Sequence, residues 1–248
     1  ESLSEFDNWR LKHSMRVKTA RCGGKDIAFL QEDWESGLSL ILPGTVGKGD
    51  RFSIEMTLEG DFIDDQRSIE KGYYPQSNTS WYPRHGYLKR STYNMLFRSD
   101  KNDAVASVGN LVREGVWPDS KDDRLTEFRI DKPVSFVTFA AGSLERKTEK
   151  RKLPFGEMLL EFYSLPSAVG AVKESFVLGE LGNALEYFSR YFGSYPYGDF
   201  RAAIHPFNFG QGFPTLLMLP RADRATRSVY AFIAHETSHQ WWGNMVSW

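Results

Sequence analysis

His235-Glu236-Thr237-Ser238-His239 commits the C-terminal part of this chain to one kind of local structure. The six residues before it, Val229-Tyr230-Ala231-Phe232-Ile233-Ala234, are apolar or aromatic, and neither proline nor glycine interrupts the run until Gly243. The stretch therefore predicts a buried helix. On a helix, residues four apart sit one turn above each other on a single face, so His235 and His239 aim their imidazoles at a common point. Neutral imidazole nitrogen is a preferred ligand of zinc, and a catalytic zinc keeps one position open for water. Glu236 stands next to the first of the two and can take a proton from that water; metal and base together make a nucleophile near neutral pH. The structural alternative is a core helix carrying two satisfied histidines.

The rest of the chain predicts a β-rich fold up to about Glu149. Phe52, Ile54, Met56 and Leu58 alternate with polar residues, as do Tyr93, Met95 and Phe97, and more loosely Leu11, Met15 and Val17; Phe136-Val137-Thr138-Phe139-Ala140 reads as a short buried strand. Period-two alternation means a sheet with one wet face. Turn residues separate the runs at Cys22-Gly23-Gly24-Lys25-Asp26, at Pro43-Gly44, at Gly47-Lys48-Gly49-Asp50 and around Ser99-Asp100-Lys101-Asn102-Asp103. Short strands with such turns suggest a sandwich or an open curved sheet. The aromatic segment from Tyr73 to Pro83 either lines a cleft or packs on that sheet. The charged run Glu145-Arg146-Lys147-Thr148-Glu149-Lys150-Arg151-Lys152 reads as a solvated edge strand or a linker. It sets the expected division into a β domain, 1–152, and a second domain, 153–248.

Beyond it, Met158–Tyr163 reads as a strand. A helix follows, with Val169, Val172, Phe176, Leu181, Leu185, Phe188 and Phe192 on its inner face, Ser167 as N-cap and Gly193 as C-cap. Phe200–Pro206 and Thr215–Leu219 read as two strands joined around a glycine-containing segment. Overall charge is -1, from 31 basic and 32 acidic residues, so nothing electrostatic points to nucleic acid or an anionic membrane as partner. No apolar run approaches a membrane span. Cys22 is the sole cysteine and excludes an internal disulfide. His13 and His85 read as surface or structural residues.

The residues after the metal pair, Gln240-Trp241-Trp242-Gly243-Asn244, resemble the run that follows the zinc helix in the aminopeptidase N-like (alanyl aminopeptidase type) zinc metallopeptidases, a gluzincin family. Phe192-Gly193-Ser194-Tyr195-Pro196-Tyr197 resembles the same family at the same place in the order. The resemblance implies an α+β chain: an all-β N-terminal domain followed by the first part of a thermolysin-like catalytic domain. It implies one zinc ion on His235 and His239, Glu236 as general base, and a third ligand, a glutamate, on a later helix beyond Trp248. The sequence thus looks like the front part of a longer protein. The family has Gly-x-Met-Glu-Asn on an edge strand that pairs with the peptide substrate, its glutamate holding the free amino group. Here Gly210-Gln211-Gly212-Phe213-Pro214 occupies that place, with Phe213 where the glutamate stands. A buried ammonium needs a carboxylate or several acceptors, which Phe213 does not supply. Gly210, Gln211, Gly212 and Phe213 are the expected substrate-binding residues. His205 is a remote candidate for a further ligand.

The expected function is zinc-dependent hydrolysis of peptide bonds, aminopeptidase-like in the longer protein, with this 248-residue piece inactive by itself. The alternative from another class is a peptide-binding module built on a degenerate, non-catalytic peptidase domain. Apolar residues around Trp241, Trp242 and Trp248 give an expected self-association surface.

Overall fold

The computed structural model describes residues 15–32, 37–60, 63–65, 72–75, 81–86, 89–165, 172–205 and 209–246. Leu11, His13, Ser167, Val169, Trp248 and much of the Tyr73–Pro83 segment lie outside them. The chain divides into two compact units, one of Glu1–Asp64 with Pro75–His85 and one of Asp65–Tyr74 with Gly86–Trp248. Among the described residues no helix is long and apolar enough to cross a membrane.

In the first unit, β1 (Arg16–Cys22) is the middle strand of a sheet with β2 (Lys25–Asp26) and β5 (Ile54–Glu59), while β3 (Phe29–Glu32) pairs with β4 (Gly37–Leu40). The glycine pair at Gly23 and Gly24 takes positive φ and closes the β1–β2 hairpin, as the turn signal predicts. The alternation of Ile54, Met56 and Leu58 appears as alternating burial along β5, but Phe52 precedes the strand and is 54% exposed.

The second unit carries the remaining strands after β6 (Ile63–Asp65). β7 (Gly72–Pro75), β12 (Phe139–Gly142) and β9 (Ala104–Ser107) form one antiparallel group, and β8 (Ser91–Asp100), β11 (Ser120–Val134) and β10 (Asn110–Trp117) another. The strand expected at Phe136 starts at Phe139. Both long strands β10 and β11 escape sequence reading. β10 is exposed along most of its length, and charged residues interrupt the apolar alternation of β11.

A five-stranded sheet organises the rest, in the order β13 (Glu145–Leu153), β14 (Gly156–Ser164), β15 (Phe200–His205), β17 (Leu216–Pro220), β16 (Gln211–Phe213). β14, β15 and β17 are parallel; β13 and β16 are antiparallel edges. The charged run is thus an edge strand in hairpin with β14, and the hairpin runs through position 152/153. It is only partly solvated. Arg146 pairs with the buried Glu161, and Arg151 lies over helix α1 (Glu174–Phe192), donating to the Gly179 carbonyl at 3.1 Å and to Asn183 at 2.5 Å. Gly182 leaves the room for that crossing, since a Cβ there would meet the Arg151 side chain at 2.4 Å.

The core lies between this sheet, α1 and α2 (Arg227–Ser238), around Leu160, Phe162, Leu181, Leu185, Phe200, Leu217, Ile233 and Trp241. The buried stripe of α1 is Val177, Leu178, Leu181 and Leu185; Phe176 and Phe188 pack at its margin, and Phe192 is half exposed. Gly193 caps the helix with φ 96° as expected. Trp241 is fully packed, so only Trp242 of the two adjacent tryptophans remains at the surface.

One ion pair is sealed in this interior. Arg201 and Glu161 are both wholly buried, 2.6 Å apart, and Arg201 also donates to the carbonyls of Ser107, at 2.8 Å, and Gly109. Loss of Arg201 would leave Glu161 to Arg146 alone and take the donor from the buried Ser107 and Gly109 carbonyls, and breaking a buried pair costs about 3–5 kcal/mol. Arg201→Met should therefore cost about that much in urea unfolding, whereas removal of the exposed Lys150–Glu157 pair should cost less than about 1 kcal/mol.

Candidate metal centre

Helix α2 forms where the sequence places it, from Arg227 to Ser238, with His239 at its C-cap. The imidazoles of His235 and His239 stack edge to face with centroids 4.9 Å apart. Their ligand nitrogens and a Glu236 carboxylate oxygen lie within 4.8 Å of one another. His235 is exposed, His239 half-buried and Glu236 buried. The three side chains expected to act together are thus brought together, with an open side toward solvent at His235.

His239 Nδ1 lies 3.1 Å from the Trp242 carbonyl. A carbonyl only accepts, so Nδ1 carries the proton and Nε2 keeps its lone pair for a ligand. The donor set therefore fits zinc: two neutral imidazoles one helical turn apart, one with its tautomer fixed, beside a carboxylate. Burial pushes the Glu236 carboxyl above the usual carboxylate range; the neighbouring His239 and His235 and the Gly212 N–H, which donates to it, act in the opposite direction.

Edge strand β16 lies directly against α2, and its glycines make that approach possible. A Cβ on Gly210 would stand 2.3 Å from the Phe232 ring and 2.9 Å from Glu236 Oε1. A Cβ on Gly212 would stand 2.4 Å from the Glu236 carbonyl oxygen and 2.7 Å from His239 Cβ. The sequence suggests a close backbone partner for these glycines; in the fold the helix itself is one. Gln211 is half-buried, while Phe213 is 6% exposed with its ring edge-on to Phe136 at 5.4 Å.

His205 sits elsewhere. It is 2% exposed, packed between Tyr74 and Phe209, and is not grouped with the metal pair. Burial lowers its pKa to about 4, against smaller opposing contributions from hydrogen bonds with the Phe209 and Met218 backbone. His85 is exposed. Sequence reading missed Gln240 and Asn244 as individual contributors: both are buried and both bond to β16. The one available signal was two amide side chains flanking a Trp-Trp-Gly turn next to a buried helix.

No protein-family model matches the chain. It is 22% identical over 278 residues to human (Homo sapiens) aminopeptidase N, covering 97% of this chain and 28% of that protein, and 26% identical over 174 residues to aminopeptidase N of Canis lupus familiaris, covering 64% of this chain and 18% of the relative. The chain therefore spans about a quarter or less of the length of these curated relatives. Its fold is similar to the crystal structure of an M1 zinc metallopeptidase from Deinococcus radiodurans, with TM-score 0.77 at 19% identity over 94% of this chain and 56% of the other. The fold of that metallopeptidase bound to a Tyr-Ser-Ala substrate is equally similar, with TM-score 0.75.

The crowding at Gly212 predicts that Gly212→Ala costs about 1–3 kcal/mol in urea unfolding. Gly179→Ala, on α1 with nothing within 4 Å of the new Cβ, should instead stabilise by about 0.5–1 kcal/mol. For His205 the sign is fixed by its depressed pKa. The unfolded chain takes up a proton near pH 6.5 and the fold only near 4, so stability is full above pH 6.5 and falls as pH drops toward 4, by about 3 kcal/mol in total. Melting curves at pH 7 and pH 4.5 should show that His205→Gln removes much of this acid loss.

Proposed function

We propose that this chain, aminopeptidase N-like in sequence and M1 metallopeptidase-like in fold, forms part of a zinc-dependent peptide hydrolase. The observation that carries the reading is the convergence of the His235 and His239 nitrogens with the Glu236 carboxylate on one side of α2. His235 and His239 hold the ion. Zinc at this position supplies Lewis acidity, which makes water more acidic and polarises a carbonyl. Glu236 takes the proton from the attacking water and returns it to the leaving amine. Its carboxyl lies buried beside both imidazoles, within reach of a water between them. Gly210, Gln211, Gly212 and Phe213 bind the substrate, as the segment that lies against Glu236 and His239. The aminopeptidase-like specificity is part of the proposal and is supported by the named relatives. Since Phe213 stands where the family pattern has a carboxylate, either another acidic residue holds the peptide's amino group or strict N-terminal specificity is lost. The expected two-part division, β-rich to residue 152 and catalytic from 153, belongs to the same proposal.

Among the described residues two imidazoles and no third protein ligand meet at this point. We therefore expect the 248-residue chain alone to bind zinc weakly and to hydrolyse no peptide at a measurable rate. A longer protein carrying it, of its relatives' length, should be active. Exposed Tyr187, Tyr191, Phe192 and Trp242 are the surface through which copies of the isolated chain would associate.

The test uses unblocked and N-blocked peptides with metal analysis of the same preparations. Glu236→Ala should retain zinc and lower kcat by about 100-fold or more; chelation should abolish hydrolysis and added zinc restore it. Preference for unblocked peptides supports the aminopeptidase reading, and equal cleavage of both points to an endopeptidase. Turnover that survives Glu236→Ala or exhaustive chelation sinks the hydrolase reading.

A further inference from the structure

The residues after α2 fold back onto β16 and hold it by side-chain amides. Gln240, fully buried, donates from Nε2 to the Phe213 carbonyl at 2.8 Å and accepts the Thr215 N–H at 2.9 Å. Gly243, at φ 106°, turns the chain so that Asn244 returns to the strand. Asn244 Nδ2 donates to the Gly212 carbonyl at 3.0 Å, and the Asn244 backbone N–H donates to the His239 carbonyl at 3.1 Å. Gly212 N–H, in turn, donates to the Glu236 carboxylate. In extended backbone the N–H and C=O of one residue point to the same side. Gly212 thus turns both groups toward the end of α2, where Glu236 takes one and Asn244 the other.

We infer that Asn244 is a positioning residue for Glu236: by holding the Gly212 carbonyl it anchors Gly212 against the end of α2, and so keeps in place the residue that the carboxylate meets. The need for such a hold follows from the glycine. Contact with α2 excludes any side chain at 212, yet glycine has the widest backbone freedom of any residue, so its peptide groups must be fixed from outside. Gln240 fixes the Phe213 carbonyl and the Thr215 N–H farther along, and Asn244 fixes the carbonyl of the residue whose N–H faces the base. Glu236 acts as base only under the hydrolase reading, on which this role rests; the hydrogen bonds themselves do not depend on it.

The Gly212 amide reports on this directly, through its hydrogen-exchange rate and its 1H–15N resonance in the labelled 248-residue chain. Asn244→Asp preserves side-chain shape, removes the donor and sets a carboxylate oxygen against the Gly212 carbonyl. Exchange at Gly212 should quicken by about tenfold or more, the worth of one hydrogen bond, and its resonance should move. Amides of α1 should keep their protection, and zinc affinity should change less than about threefold, because Asn244 holds neither imidazole side chain. Glu236→Ala should perturb the same amide, and the double variant should add less than about twofold to either single change, since both act through one residue. If Asn244→Asp removes protection throughout α1, it has unfolded the chain, and Asn244→Ala read at the same amide decides. An unmoved Gly212 resonance in the folded variant, or fully additive effects in the double variant, overturns the role of Asn244. Absence of hydrolysis in the unaltered longer protein would remove the hydrolase reading and leave the amide result standing.

Discussion

A strand and a helix meet here with no side chain between them. Gly212 and the Glu236 backbone are so close that a single methyl group would separate them. That approach lets one backbone N–H reach a buried carboxylate, and it places β16 beside His239. A longer residue at 212 would push β16 off the helix and leave Glu236 facing only solvent or apolar side chains. The cost of burying a carboxylate is offset by hydrogen bonds, and the Gly212 N–H supplies one at this contact.

The contact is held in place by a chain of buried polar groups that crosses the second unit. Arg201, paired with Glu161, binds the Ser107 and Gly109 carbonyls. The Gly109 N–H donates to Thr215 Oγ1 at 2.7 Å, the Arg201 N–H donates to the Thr215 carbonyl at 3.0 Å, and the Thr215 N–H donates to Gln240. Thr215 is held at φ 65°, a left-handed conformation that a β-branched residue adopts only when its surroundings demand it. A buried ion pair adds little net stability compared with an apolar pair of the same shape. Its contribution here is geometric, because Glu161 holds Arg201 where its guanidinium fixes the Ser107 and Gly109 carbonyls and its backbone N–H meets the turn between β16 and β17.

The three residues of the centre have different environments, and their roles divide accordingly. His239 is anchored through Nδ1 to the Trp242 carbonyl, so the same turn that positions Asn244 also sets a tautomer. His235 faces solvent and gives access. Glu236 is buried between them. The chain is similar in sequence to aminopeptidase N and in fold to an M1 zinc metallopeptidase, whereas β16 departs from the aminopeptidase N-like pattern at Phe213, whose ring packs in the core beside Phe136.

The sequence by itself determined the local elements. The spacing of His235 and His239 fixed their common helical face, alternation marked β5 and β8, and Gly193 marked the end of α1. These are properties of periods 3.6 and 2, which neighbouring residues carry without help. Where a strand is exposed along most of its length, as β10 is, or where charged residues interrupt its buried positions, as in β11, the period vanishes and the strands were not legible. Tertiary structure alone decided that Phe52 is exposed, that Trp241 is buried while Trp242 is not, that Phe213 packs inward, and that Gln240 and Asn244 grip β16. Periodicity tells which residues share a face. Which face meets which depends on contacts between segments distant in sequence, and the approach of β16 to α2 is a contact of that kind.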